Sequence, residues 1–511
     1  MSDAALGAAV PSADRDPART TPLRVSFAAG AVAAAAEAAV VIPFLGRYGW
    51  DRDELYFLSA AHRPTWGYVD LPPVTAWIGW GVHAVFGNSL DALRLTSLMA
   101  MLAATVLVAL MTRELGGSGA TQTVAALVWA LSPYGLAAAS IFHPTWFDAL
   151  CWVALLYVLL LALRRNRPRL WLLAGVIAGI GLETKYTIAF LLVALLIALL
   201  VTDGRRILAT RWPWLGLAVA LLLLVPNLVW EAQHGWASVH FVRSQNTATA
   251  SDTPPATYVA QQLFLGAGIL VAAVGVVWLW RKPGLRPLAL LPPLITVIFL
   301  LERGRAYYPL PADSIAIAAG TVALASWLHR ASTMKRIALL AALLLVQAAV
   351  LVYALPTVLP VRSTASMVAS GIWKNSWYKD EIGWPELADQ TAQAWKSLPT
   401  RERENGTILA ENYGEASALE FYGPSRGLPR ILSGHLSWQY WRPRTLRQRF
   451  ALLVGFSDGS ALQLCSSSQT LATIDNRWHL DNEERGRHIT ACTLKQPLGQ
   501  MWANQIASNN L

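Results

Sequence analysis

The chain has 511 residues, of which 55% are hydrophobic and only 14% are charged, and its net charge is +10. Soluble globular proteins usually contain about 25% charged residues, so this composition excludes an ordinary soluble enzyme. The arginines fall in short loops between apolar segments, as they do in the cytoplasmic loops of membrane proteins. They form no basic face of the kind that binds nucleic acid, and no nucleic-acid partner is expected.

Residues 1–22 are polar and are predicted to form a disordered cytoplasmic tail. The apolar segment that follows is too long for a cleaved signal peptide and predicts an uncleaved membrane anchor. It contains Glu37, which we expect to pack inside the helix bundle. Residues 23–355 are therefore predicted to form an all-α membrane domain of about eleven transmembrane helices. The predicted helices are 25–46, 91–112, 121–142, 148–163, 169–182, 186–202, 212–230, 259–280, 287–301, 307–328 and 337–355.

The charges of the loops predict the topology. The segment 73–86 is too short to span a bilayer and is predicted to lie at the interface. The arginine-rich loops near 113, 164–169, 205–211, 281–286 and 330–336 then share one side, which the positive-inside rule identifies as the cytoplasm. The first outer loop, 47–90, and the C-terminus fall outside. This topology predicts a multi-pass membrane protein with its N-terminus inside. The Ala- and Arg-rich composition indicates a bacterium, so the predicted location is a bacterial cytoplasmic membrane.

The composition changes after residue 355, because residues 356–511 contain no apolar run long enough to cross a membrane. Short alternating segments at 407–410, 450–454 and 488–494 predict strands, so this part is expected to be a separate extracytoplasmic α/β domain. Cys465 and Cys492 lie in it. An outside location would permit a disulfide between them, but the sequence leaves bonded and unbonded cysteines equally open.

The first outer loop carries the most informative acidic residues, which are Asp53, Glu54 and Asp70. Asp53 is suited either to cap a short helix that ends near His62 or to act as a base at the bilayer surface. The three carboxylates are compatible with a divalent cation (Mg²⁺, Mn²⁺ or Ca²⁺). They are equally compatible with a metal-free base and a carboxylate that binds the acceptor.

Other outer turns carry basic, aromatic and further acidic residues. Cations on the same side as the carboxylates would suit a phosphate leaving group, although short charged turns between helices are common. His143 and Asp148 bracket another turn and are candidates for acceptor or metal binding. The candidates for phosphate binding are Lys185, Arg303, Arg305, Tyr307 and Tyr308.

Several of these segments resemble the signature of family 39 glycosyltransferases, the dolichyl-phosphate-mannose protein mannosyltransferase-like proteins, which are related to the aminoarabinose transferases of lipid A. The resemblance rests on residues 53–56 and 67–73, on 181–187, and on 304–308, where Arg305 replaces the usual lysine. Residues 412–416, 421–424 and 433–435 resemble the outer domain of bacterial members. The motifs occur in the family's order along nearly the whole chain.

The resemblance implies a GT-C fold, a polyprenyl-phosphate-linked sugar donor and inversion at the anomeric carbon. It implies that Asp53 is the general base and that Glu54 and Asp70 position the acceptor or a metal. Lys185, with the arginines at 303 and 305, would hold the phosphate of the donor. The tyrosines at 307 and 308 would line the donor groove or belong to the interfacial aromatic belt. The acceptor is expected to be a glycan, a lipid or a protein.

Two other classes of function remain open, namely a transporter or lipid flippase of the cell envelope and a binding or assembly protein. No internal repeat is evident, and the charges lie at loop edges rather than inside the helices, which favours the enzyme. The C-terminal domain carries further polar and aromatic residues. These residues either contact the acceptor or form the domain's own core and turns, and the second interpretation is favoured: Tyr413, Glu415, Tyr422, His435 and Trp441.

Overall fold

The computed structural model describes residues 23–249 and 254–507, so the predicted tail at 1–22 lies outside the described residues. The first part of the chain is almost entirely helical. Its helices are α1 (Leu23–Val41), α2 (Arg52–Ala61), α3 (Val74–Phe86), α4 (Leu90–Glu114), α5 (Gly119–Ala130), α6 (Pro133–Ser140), α7 (Pro144–Arg164), α8 (Leu170–Leu182), α9 (Ile188–Leu200), α10 (Arg205–Leu208), α11 (Arg211–Gln233), α12 (Ala237–Thr249), α13 (Pro255–Gln261), α14 (Gly268–Trp280), α15 (Arg286–Leu301), α16 (Asp313–Arg330) and α17 (Thr333–Val358).

The predicted membrane domain is confirmed as a bundle of apolar helices. Among the described residues, seven helices are long and apolar enough to cross a membrane, or nine if each of two bent pairs is one span. The predicted number of eleven is not confirmed. The predicted spans 169–182 and 186–202 correspond to α8 and α9, which have 13 residues each. At 1.5 Å per residue each is about 20 Å long, less than the roughly 30 Å of a bilayer core.

Two segments predicted as straight helices are bent. The segment 121–142 turns by 65° between α5 and α6, where the hydroxyl of Ser132 accepts from the backbone N–H of Gly135 and starts a new helix with Pro133. The segment 259–280 turns by 91° before α14, at Gly266, whose φ is +59°. In both segments the hydropathy is continuous, but the helix is broken, by the Ser132 cap in the first segment and by the positive φ of Gly266 in the second.

Glycines allow close contacts between neighbouring helices. A Cβ at Gly275 of α14 would lie 1.8 Å from the carbonyl oxygen of Ala316 in α16. A Cβ at Gly175 of α8 would lie 2.1 Å from the carbonyl oxygen of Gly216 in α11. These contacts require small residues, as at many helix interfaces in membranes.

The rest of the chain forms a mixed α/β domain. Its elements are α18 (Thr364–Ser370), α19 (Trp384–Ser397), α20 (Thr400–Asn405), β1 (Gly406–Ala410), α21 (Tyr413–Tyr422), β2 (Ile431–Ser433), β3 (Phe450–Val454), α22 (Asp458–Leu464), β4 (Cys465–Thr473), β5 (His488–Leu494) and α23 (Leu498–Met501). The five strands have the order β2-β1-β3-β5-β4. β1 is parallel to β2 and β3, and β5 is antiparallel to β3 and β4. The three predicted strands are confirmed.

Cys465 and Cys492 lie on the adjacent strands β4 and β5, with their Cα atoms 5.5 Å apart, and their sulfurs are joined in a disulfide. This separation falls within the range that a disulfide requires. Cys151, in α7, is free.

The α/β domain packs onto the loop 47–90 of the helical domain. Arg52 of α2 pairs with Asp380, at 3.2 Å, and with Glu484, at 3.3 Å. Arg63, just after α2, pairs with Glu420, and its guanidinium lies 4.8 Å from the centroid of a Trp441 ring. The loop is therefore held between the two parts of the chain.

Candidate active site

The helix α2 places its acidic residues in different environments. Asp51 is the N-cap, because its Oδ1 accepts from the backbone N–H of Asp53 at 2.8 Å. Glu54 completes the capping box by accepting from the backbone N–H of Asp51 at 3.0 Å. The alternative in which Asp53 caps the helix is therefore wrong, and the Asp53 carboxylate is available for other contacts.

Glu54 is fully buried and belongs to an internal ion pair. The guanidinium of Arg94 donates to both of its oxygens at 2.8 Å, and the backbone N–H of Phe142 donates to Oε1 at 2.9 Å. With Asp51 these donors occupy both oxygens. These contacts give Glu54 a structural part in an internal ion pair, and Glu54 is not among the residues that line the cavity described next.

A cavity of about 250 Å³ lies between the loops of the helical domain and the α/β domain. Two predicted site residues from distant parts of the chain, Asp53 and Arg305, line the same cavity. This supports the prediction that these two turns share one side of the membrane. The lining residues are Asp51, Arg52, Asp53, Ile141, His143, Trp146, Arg305, Tyr307, Trp377, Asp380 and Tyr413.

The Asp53 side chain is 37% exposed, with Nε2 of His143 3.7 Å from its Oδ2. The hydroxyl of Tyr413 donates to Oδ1 at 2.7 Å. Burial raises the pKa of Asp53, and the hydrogen bond from Tyr413 and the charges of Arg52 and Lys185 oppose this shift. Asp53 is therefore a carboxylate with raised basicity at the edge of a cavity.

His143 is fixed by its position at the start of α7. Its Nδ1 accepts from the backbone N–H of Thr145 at 3.2 Å, so the proton of the neutral ring lies on Nε2, facing Asp53. Burial, and then the charge of Lys185, hold the pKa of His143 well below its usual value. His143 is therefore neutral. Its Nε2 faces the Asp53 carboxylate, and its Nδ1 is bonded to the backbone of Thr145.

Lys185 lies beside this group of residues. Its Nζ donates to the hydroxyl of Thr145 at 2.6 Å and lies 4.3 Å from the centroid of the Tyr308 ring. Within residues 23–249 and 254–507, no carboxylate oxygen lies within 4 Å of it. Lys185 is thus a cation without a close ionic partner near Asp53.

Of the four predicted phosphate ligands in the turn 303–308, two line the cavity and two do not. Arg305 and Tyr307 line the cavity, whereas Arg303 and Tyr308 do not. Arg303 has a positive φ of 55°. Tyr308 packs against Lys185 and Phe299.

Two predicted acidic site residues lie away from the cavity. Asp148 accepts from the hydroxyl of Thr187 at 2.6 Å and from Nε1 of Trp152 at 3.1 Å. Asp70 accepts from the hydroxyl of Tyr56 at 2.5 Å, and burial raises its pKa to about 7. The contacts of Asp148 indicate a role in holding helices together.

The described part of the chain contains no group of three or more His, Cys, Asp or Glu side chains that could hold a metal ion. The carboxylates of Asp53, Glu54 and Asp70 have separate partners. The described residues therefore do not form the divalent-cation site that was one of the predicted alternatives.

The sequence left two interpretations open for Tyr413, and the favoured one placed it in the core of the α/β domain. Tyr413 instead lines the cavity. The favoured interpretation fits Glu415, which is buried and completes the capping box of α21. Sequence reasoning missed other cavity residues. The short segment before α19 supplies Trp377 and Asp380, and no sequence pattern indicated them.

Comparisons with known proteins agree with this description. Residues 70–230 match the family described as dolichyl-phosphate-mannose-protein mannosyltransferase. The lipid A galacturonosyltransferase RgtD of Rhizobium johnstonii is 30% identical over 185 residues, which are 36% of this chain and 38% of that protein. The match thus spans well under half the length of this relative.

The fold resembles that of ArnT from Cupriavidus metallidurans. The structure bound to undecaprenyl phosphate superposes with a TM-score of 0.52 at 16% identity, covering 93% of this chain and 98% of ArnT. The apo structure gives 0.51 at 14% identity, covering 92% and 96%. These findings confirm the predicted resemblance. The chain is a multi-pass membrane protein that is similar to the protein mannosyltransferases over residues 70–230 and to ArnT in its fold.

Proposed function

We propose that the chain is an inverting glycosyltransferase, which moves a sugar from a polyprenyl-phosphate donor to a hydroxyl acceptor on the outer face of a bacterial cytoplasmic membrane. The observation that carries the proposal is that Asp53 and Arg305 line one cavity. A base for the acceptor and a cation for the leaving group are the two groups that this reaction needs.

The proposed reaction is a single displacement. Asp53 takes the proton of the acceptor hydroxyl while the hydroxyl oxygen forms a bond to the anomeric carbon. The bond between that carbon and the phosphate oxygen breaks, and the polyprenyl phosphate leaves with the electron pair. Arg305 and Lys185 stabilise the negative charge that develops on the phosphate. Attack from the side opposite to the leaving group inverts the anomeric configuration.

The relatives support the choice of a lipid-linked donor. One ArnT structure contains undecaprenyl phosphate, and RgtD is a lipid A galacturonosyltransferase. A polyprenyl chain would lie among the apolar helices, and we expect its phosphate to reach the cavity that Asp53 and Arg305 line. By the same comparison, a lipid is the acceptor class that we propose first, ahead of a glycan or a protein.

Replacing Asp53 by Asn tests this proposal. The amide keeps the size of the side chain but cannot take a proton, and removal of a general base typically lowers the rate by about 10²–10⁴-fold. Mass spectrometry of the envelope glycans and lipids in a deletion strain identifies the sugar that is lost. The complementing D53N variant should then fail to restore it.

The control is Asp458→Asn, whose side chain is 79% exposed at the start of α22. This variant should restore the sugar fully. Normal sugar transfer by well-folded D53N would remove Asp53 from the proposed role.

A further inference from the structure

We propose that the α/β domain completes the active site, and that Tyr413 is a positioning residue that orients the Asp53 carboxylate and keeps it ionised. This inference rests on the proposed function, because it concerns the residue assigned there as the base. It assigns a part in the reaction to a domain that would otherwise serve only to bind or to stabilise.

The contact joins the two parts of the chain. Tyr413 is the first residue of α21, in the α/β domain, and Asp53 belongs to α2, in the first outer loop. The Tyr413 hydroxyl donates to Oδ1 of Asp53 at 2.7 Å. Both side chains line the cavity, so the hydrogen bond lies where the acceptor hydroxyl would approach.

The position of Tyr413 is fixed by the start of its helix. The side chain of Asn412 accepts from the backbone N–H groups of Gly414, at 2.8 Å, and Glu415, at 3.0 Å. Glu415 in return accepts from the backbone N–H of Asn412 at 3.2 Å, which completes a capping box. The backbone N–H of Tyr413 itself donates to Nδ1 of His435 at 3.3 Å.

The Tyr413 ring is also held by its neighbours. Its centroid lies 5.1 Å from the ring of Tyr56 and 5.3 Å from the ring of His435, in both cases with a steep angle between the rings. Tyr56 belongs to α2, the same helix as Asp53. The ring is therefore packed between the outer loop and its own domain, which restricts where its hydroxyl can point.

Close contact between α2 and α21 requires a glycine next to Tyr413. A Cβ at Gly414 would lie 2.5 Å from Cγ of Arg52. The guanidinium of Arg52 is held in turn by Asp380, Glu483 and Glu484. The side chain of Arg52 therefore cannot easily move away, and Gly414 brings Tyr413 within reach of Asp53.

The chemistry of the pair gives the hydrogen bond a direction. Burial and the charge of Asp53 raise the pKa of Tyr413 well above its usual value, so the phenol stays protonated and donates. Donation to a carboxylate favours its ionised form, so this contact lowers the pKa of Asp53. Removing the hydroxyl should leave Asp53 protonated up to a higher pH.

Carboxyl labelling of the purified full-length protein measures this effect without knowledge of the sugar. Dicyclohexylcarbodiimide reacts with protonated carboxyl groups, and mass spectrometry of the peptide that contains Asp53 gives the labelled fraction at each pH. In Tyr413→Phe the pH of half-maximal labelling should rise by about one unit, which corresponds to the loss of one hydrogen bond to a charged group.

The matched control is Tyr422→Phe, at the other end of α21, where the ring packs on Phe421. Its labelling curve should coincide with that of the wild type. The D53N variant should lose the labelling, which separates Asp53 from the adjacent Glu54. An unchanged curve for folded Tyr413→Phe would overturn the inference.

A second variant tests the inference if Tyr413→Phe fails to fold. His435→Ala removes the acceptor for the backbone N–H of Tyr413 and should move the labelling curve in the same direction. An unmoved curve for His435→Ala would overturn the inference.

Sugar transfer in the complemented deletion strain separates the two proposals. If D53N is inactive and the Tyr413→Phe labelling curve does not move, only the role of Tyr413 fails. If D53N transfers sugar normally, the assignment of the base fails whatever the labelling shows. A Tyr413→Phe variant that loses transfer at low pH and regains it at higher pH would support both proposals.

Discussion

At the scale of single residues, Asp53 and Glu54 show why adjacent acidic residues cannot be assigned from sequence alone. Successive residues of a helix point about 100° apart, so one side chain can face the cavity while its neighbour faces the core. The sequence indicated that this segment carries acidic site residues, and Asp53 does line the cavity. It did not indicate that Arg94, in another helix, would take Glu54 as its partner.

The Glu54→Gln variant tests this division of roles. Loss of one partner of a buried ion pair leaves an uncompensated charge, so the variant should lose about 3 kcal/mol of stability. Thermal unfolding in detergent measures this loss. Glu404→Gln, at an exposed position in α20, is the control and should unfold like the wild type. A stable Glu54→Gln variant that had lost activity would instead restore the catalytic role for Glu54.

Arg305 and Arg303 are a second neighbouring pair with different predicted effects. Arg305 lines the cavity and Arg303 does not. Loss of a charge-assisted contact costs about 1.5–3 kcal/mol, so Arg305→Ala should weaken the binding of undecaprenyl phosphate by about tenfold or more. Native mass spectrometry with added undecaprenyl phosphate measures the affinity. Arg303→Ala should bind more nearly as the wild type does, and the opposite order would refute the assignment of Arg305.

At the scale of elements, the sequence predicted which segments are helical and largely where they lie. It did not predict the bends, because Ser132 and Gly266 act through capping and backbone conformation inside runs of continuous hydropathy. Both bends are held by one residue of α17. The amide of Gln347 accepts from the backbone N–H of Ala267 and donates to the carbonyl of Leu131.

The sheet shows the same limit. The strands β1, β3 and β5 were predicted from their alternating pattern, whereas β2 and β4 were not. β2 has only three residues, and β4 is mostly exposed and rich in serine, so neither has the apolar pattern that indicates a strand.

At the scale of the whole molecule, the candidate site is formed by residues that the sequence separates widely. The candidates in the helical domain were predicted because membrane topology groups their turns on one side. The contribution of the α/β domain was only one of two alternatives, because it depends on how that domain packs onto α2. The contacts of Arg52 and Gly414 that determine this packing have no signature in the sequence.

The contacts of two buried acidic residues weigh against a transporter. Glu54 is paired with Arg94, and Glu37 accepts from the hydroxyl of Thr105 at 2.7 Å. A transport pathway would leave such groups facing a water-filled route.

The proposed function requires Asp53 and Arg305 to lie on the same, outer side of the membrane, and cysteine labelling measures this. The full-length Asp53→Cys and Arg305→Cys variants are treated with a membrane-impermeant maleimide in spheroplasts and in inverted membrane vesicles, with the wild type as the background for Cys151. We predict that both positions react in spheroplasts and are protected in inverted vesicles, as Asp458→Cys in the α/β domain should be. Reaction of the two positions from opposite sides of the membrane, or of both from the cytoplasmic side, would contradict it.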